Sequence, residues 1–251
     1  MRKSILCCLL ASAALCGIAQ QPSTAIPRLA DGKPDLNGIW QAISGADVDL
    51  LDHVAGRYAP GAQSVVEEGE IPYLPHALKQ RQANHEQRRS LDPETAKCDL
   101  PGVPRITYAL NLPFQIFQKP EGDKIDVLYE FAVAHRFLYT NGTDHPPGHI
   151  NWWLGDSRAK WEGDTLVVDS VDFNADTWFD HAGDYHSEDL HVIERYSPID
   201  ADHIDYRVEI DDSKVYAKPW HIHLILYRRK EKNVQLLDYV CYAFDYEKYY
   251  P

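Results

Sequence analysis

The sequence predicts a mainly β protein whose strands run as an antiparallel meander and close into a barrel. Three features point there. Aromatics make up 11% of the 251 residues, beside 16 prolines and 14 glycines, a composition that suits turn-rich sheets better than helical bundles. From Leu112 onward, short apolar runs alternate with turn residues at strand-like spacing. One run alternates cleanly, with His203, Asp205, Arg207, Glu209 and Asp211 opposing Ile204, Tyr206, Val208 and Ile210. That is a strand wet on one face and packed on the other. At least seven such runs with short connections favour closure, which removes unpaired edges. A β-sandwich is the alternative.

The elements follow in order. Residues 1–19 form an export signal: Arg2 and Lys3 supply the basic start, Ile5 to Ala14 the apolar run, and Gly17-Ile18-Ala19 the small residues before cleavage. The apolar run is too short to span a membrane. A lipoprotein signal at Cys16 is a poorer reading, because Leu15 stands where a small residue is usual. Residues 20–110 make a loop-rich N-terminal arm broken by nine prolines, with one helix from Pro75 or His76 to about Arg89. Its few apolar residues make it a surface helix. Within the arm, Gly38-Ile39-Trp40 reads as a first strand.

Residues 111–251 carry the barrel, forming one structural unit with the arm. Phe114 to Gln118 is a strand, and Ile125 to Thr140 one long strand that bends. Ser157 to Trp161 and Asp164 to Phe173 flank a tight turn at Glu162-Gly163. Leu190 to Ser197, His203 to Asp211, Trp220 to Arg229 and Val234 to Phe244 complete the set.

Charge narrows the function. The chain carries 38 acidic against 25 basic residues, a net −13, and loss of Arg2 and Lys3 with the signal takes it to −15. That excludes a nucleic-acid binder built on a basic face. Cleavage leaves two cysteines, Cys98 and Cys241, which an oxidising compartment would pair. The bond would close a loop of about 140 residues and contribute roughly 3–5 kcal/mol. Two buried free thiols are the alternative. No Gly-x-Ser-x-Gly elbow, phosphate loop, dinucleotide fingerprint or His-Glu-x-x-His occurs. Neither an organic cofactor nor a metal is expected.

Several side chains are candidates for chemistry. On the long strand, Glu130 and Arg136 share a face with Ala132 and Ala134, while Tyr129 lies on the opposite, aromatic face. If the alanine face lines the interior, Glu130 is a base and Arg136 anchors an anionic or carbonyl group. The other orientation puts the aromatic face in the core. The polar stretch from Asp180 to Arg195 holds His186 and His191, either able to shuttle a proton, with Glu194 in support. Trp153 and His145 are ligand-lining candidates beside Tyr129. The same residue types serve equally as core packing, rigid turns and hydrogen-bonded strand ends. His221 and His223 face the same way but lack a third metal ligand in their pattern.

Pro34-Asp-Leu-Asn-Gly-Ile-Trp40, Trp153-Leu-Gly-Asp-Ser-Arg158, Trp161-Glu-Gly-Asp-Thr-Leu-Val-Val-Asp169, His186-Ser187 and Leu190-His-Val-Ile-Glu-Arg195 resemble a widespread, uncharacterised family of exported bacterial proteins. The resemblance implies export and the meander, and carries no activity. The Gly-x-Trp start and closing strands are also similar to lipocalin-like barrels, an analogy of fold alone.

The expected function is an exported enzyme acting on a small molecule by side-chain acid–base chemistry, of lyase, hydratase or isomerase type. Its partner is a small-molecule ligand, with no nucleic acid and no membrane span, and no pattern fixes an oligomeric state. The alternative is a non-catalytic carrier for a small apolar or aromatic ligand.

Overall fold

A computed structural model describes residues 25–56, 60–148 and 150–240. The export segment and Cys241 lie outside them. Nine strands close a barrel in sequence order: β1 Gly38–Ala42, β2 Phe114–Phe117, β3 Lys124–Tyr129, β4 His135–Tyr139, β5 Asp156–Glu162, β6 Thr165–Val171, β7 His191–Pro198, β8 His203–Asp211 and β9 Trp220–Arg228. Neighbours pair antiparallel except β4 and β5, which meet in parallel through Tyr139 and Arg158. Closure falls between β1 and β9, where Trp40 pairs with Arg228 and the guanidinium lies 4.2 Å from the indole ring. Among the described residues, no helix is long and apolar enough to cross a membrane.

The two-residue period decides what fills the barrel. On β8 every second residue is buried: Ile204, Tyr206, Val208 and Ile210 point in. β9 contributes Trp220, Ile222, Leu224 and Leu226, and β1 and β2 add Trp40, Phe114 and Ile116. Large side chains therefore occupy the interior, each fully buried apolar one stabilising by roughly 1.5–3 kcal/mol.

The run from Ile125 to Thr140 is two strands, not one bent strand. Ala132 and Val133 sit at φ +51° and +52° and turn the chain back on itself. The hairpin pairs Val127 with Arg136 and Leu128 with His135, joining odd positions to even ones. β3 therefore turns Ile125, Val127 and Tyr129 inward, whereas β4 turns in Arg136 and Leu138. A bent strand would have kept one parity. Two smaller departures follow. The β5–β6 turn is centred on Gly163-Asp164, one residue later than expected, with Gly163 at φ +62°. The described part of the last expected strand holds only an isolated bridge from Tyr239 to Phe131.

The topology gathers the 43–113 arm, the 130–134 turn and the 172–190 loop at one end of the barrel. In the arm, helix α1 (Pro75–Glu86) begins on a proline, whose missing N–H costs nothing there. It docks through polar contacts: Asn84 Nδ2 donates to the Gly183 carbonyl at 3.2 Å, and His85 Nδ1 meets the Ala182 carbonyl at 3.1 Å. Gly183, at φ +94°, allows that approach, since a Cβ there would lie 2.8 Å from the Asn84 Cβ. After the short α2 (Arg88–Leu91), Asp92 caps a π turn over Pro93–Lys97 by accepting from the Glu94 amide at 3.0 Å.

Candidate active site

Arg105 is the centre of the densest ionisable cluster among the described residues. It is 1% exposed, in a short 3-10 turn at residues 105–107. Its Nε donates to Asp47 at 2.8 Å, Nη1 to Asp92 at 3.4 Å, and Nη2 lies 2.7 Å from Glu94. His181 closes the group, its Nε2 3.3 Å from Asp47 and its Nδ1 hydrogen-bonded to Asp92. Backbone amides fix the carboxylates further: the Leu110 amide donates to Asp47 at 2.9 Å. Only His181 reaches solvent appreciably, with 26% of its side chain exposed, so one imidazole edge is the way in.

The electrostatics separate the carboxylates. Burial pushes Asp47 up, but Arg105 and His181 more than reverse this and hold it well below the carboxylate range. Asp92 also ends below its usual value, because burial is outweighed by the His181 hydrogen bond and Arg105. Glu94 behaves oppositely: burial dominates, the negative Asp47 adds to it, and Arg105 only partly compensates, leaving the carboxyl at about 7. Burial lowers His181, yet its bonds to Asp47 and Asp92 raise it to about 9. Arg105 stays charged, since the three carboxylates outweigh its burial. The cluster thus presents one carboxyl poised near neutrality among charged partners, the arrangement suited to proton transfer.

The residues singled out in the sequence fall into three groups. Tyr129, Arg136 and Glu194 converge inside the barrel. Arg136 donates to Glu194 at 2.5 Å, to Ser170 at 2.9 Å and to Ser157 at 3.0 Å. Tyr196 and Tyr206 donate to the other Glu194 oxygen at 2.9 and 2.7 Å. This pair is closed to solvent, with side chains 2% and 0% exposed, and its charges balance each other. Arg136 is therefore engaged by protein through Nε and Nη2, while its Nη1 is buried with no hydrogen-bond partner among the described residues.

Glu130 and Arg136 are not neighbours across a cavity. Glu130 lies beyond the end of β3, where it accepts from the Leu237 amide at 2.9 Å and ties down the C-terminal segment. His186 is 2% exposed, bonded to Thr177 at 2.7 Å and the Ser187 carbonyl at 2.9 Å, and packed 5.2 Å from the Phe179 ring. Burial lowers its pKa, so the ring is held neutral.

His191 and His145 stand outside the barrel, both on Asp169, at 2.9 and 3.3 Å. The Asp169 hydrogen bond raises His191. His145 also meets Asp156 at 2.7 Å. Trp153 is 37% exposed on the loop before β5. His221 Nδ1 is hydrogen-bonded to Glu68 at 2.6 Å, and His223 Nε2 lies 2.6 Å from a different carboxylate, Asp205.

Of the Arg105 cluster, only His181 lies in a stretch the sequence reading had marked. Asp92 and Glu94 resemble an ordinary helix cap, Asp92-Pro-Glu94, and they do serve as one. Arg105 gave the one available signal: a lone charge inside the apolar run from Val103 to Leu110, where an unpaired charge would be costly. Comparison of the chain with family models, curated proteins and solved structures finds no match in any of the three.

Proposed function

We propose that this chain is an exported barrel enzyme that moves protons on a small polar molecule at the Glu94–His181 edge of the Arg105 cluster. The observation that carries the reading is the convergence of Asp47, Asp92, Glu94, Arg105 and His181 at one partly open point of the barrel end. Glu94 takes a proton from a carbon beside a carbonyl and returns it to that carbon or its neighbour. An isomerisation run this way is balanced without oxidant or cofactor, and in an elimination the proton and a leaving hydroxide depart as water. Arg105 fixes the carboxylates, and the positive charge that Asp47 and Asp92 hold on His181 faces the negative charge developing on the substrate.

Export is supported by the basic start, apolar run and small residues of positions 1–19, and by a mature chain with two cysteines. We place the protein in the periplasm or outside the cell, and propose pairing of Cys98 with Cys241. The carrier alternative draws no support from an interior occupied by Trp40, Phe114, Tyr206 and Trp220.

The test is deuterium wash-in. The mature chain is incubated in D2O near neutral pD with a panel of small hydroxy and keto acids and their aromatic analogues, and exchange is followed by NMR. At least one compound should exchange faster than in buffer, Glu94→Gln should slow it at least a hundredfold, and His191→Asn should leave it unchanged. A panel with no enzyme-dependent exchange, or a Glu94→Gln protein as fast as the parent, overturns the reading.

A further inference from the structure

We propose a second site beside the first: a divalent-cation site of the calcium class built from Asp49, Asp180 and Asp184 beneath α1. One carboxylate oxygen from each lies within 4.8 Å of the others. That is the span across a cation whose oxygen ligands stand roughly 2.3–2.6 Å away. The donors are all hard oxygens, which suits calcium better than zinc or copper.

An independent observation points to a ligand there. Asp184 is 1% exposed, and its Oδ1 accepts from Tyr73 at 2.6 Å and from Arg81 Nε at 3.0 Å. Its Oδ2 is buried with no hydrogen-bond partner among the described residues. Asp180, 0% exposed, accepts from the backbone amides of Leu50 at 3.0 Å and Asp184 at 3.1 Å, and its carboxyl lies against that of Asp184. Asp49 spends Oδ1 on the Leu51 amide at 2.9 Å, leaving Oδ2 3.8 Å from Arg81.

Among the described residues, three carboxylates thus face a single guanidinium, that of Arg81. Burying that excess of negative charge is costly unless a cation or a proton offsets it. A proton on Asp180 still leaves an excess, whereas a doubly charged ion balances it. Asp49, with 22% of its side chain exposed, provides the way in.

The neighbouring Asp47, Glu94 and His181 also lie close enough together to hold an ion. There, however, the Arg105 guanidinium already sits 2.8 Å from Asp47 and 2.7 Å from Glu94, supplying the positive charge. Arg81 supplies a guanidinium to the Asp49–Asp180–Asp184 cluster as well, but the Arg105 cluster adds His181 as a second positive partner, and among the described ion pairs the other has Arg81 alone.

The experiment strips the mature chain with EDTA and titrates it with calcium chloride by calorimetry and thermal melting. Binding should be one to one, and the Tm should rise by roughly 5–10 °C at a hundredfold excess over Kd. Asp184→Asn should abolish the response. Asp49→Asn, which retains an acceptor for the Leu51 amide, should keep the calcium-free Tm near that of the parent and weaken binding at least tenfold. No binding heat at millimolar calcium with an unmoved Tm overturns the site in favour of a shared proton. Undiminished binding by Asp49→Asn overturns it as well.

Discussion

Replacing Glu94 with Gln should remove a pH-dependent loss of stability of about 3 kcal/mol. The side chain is 6% exposed, so solvent screening is slight. Moving a carboxyl from 4.5 in the unfolded chain to about 7 in the folded one sets the size, at ~1.4 kcal/mol for each pH unit. The sign follows from proton counting. Between those two values the unfolded chain has released the Glu94 proton while the folded chain still holds it, so stability falls as pH rises. Below about 4.5 both states are protonated and the contribution is complete; above about 7 it is gone.

Gln carries no such proton, so the variant lacks this slope while keeping the other groups' contributions. Urea unfolding of parent and variant at half-unit intervals from pH 4 to 8 reads the difference directly. The parent should lose about 3 kcal/mol relative to Glu94→Gln across that window. A difference flat with pH, or one that grows in the parent's favour as pH rises, would show that Glu94 is not held near neutrality and would refute the proton-transfer assignment.

Two further outcomes are expected. Arg136→Met strands the Glu194 carboxylate, 0% exposed, and should destabilise by about 3–5 kcal/mol in urea melts, while adding Glu194→Leu should restore at least half; a double variant no better than the single would show that the two charges are not coupled. His186 should stay neutral under conditions that protonate a free imidazole, because burial lowers its pKa from 6.5. Its contribution to stability is then lost as pH falls below about 6.5. NMR titration of the ring reads this, and a midpoint at or above 6.5 would contradict the burial argument.

What the sequence determined by itself is local. Period-two alternation in β8 and turn chemistry around Gly163 act over a few neighbours, so strand identity and a barrel-like meander were legible. Helix α1 was legible for the same reason, from Pro75 and a run of helix formers.

Tertiary structure decided the rest. Whether Tyr129 or Glu130 faced inward hung on the turn at Ala132-Val133. Two residues at positive φ there interrupt an apparently continuous strand and reverse the inward parity. Asp47, Asp92 and Glu94 looked like loop and cap residues because each one's local surroundings are ordinary. Arg105 meets His181 across 76 residues of chain, and such a contact leaves no period or spacing to read. Barrel closure brings the arm and the 172–190 loop to the same end, and burial there then sets Glu94 near neutrality and Asp47 far below it. A side chain's type is written locally, but its dielectric and its charged neighbours belong to the packed whole.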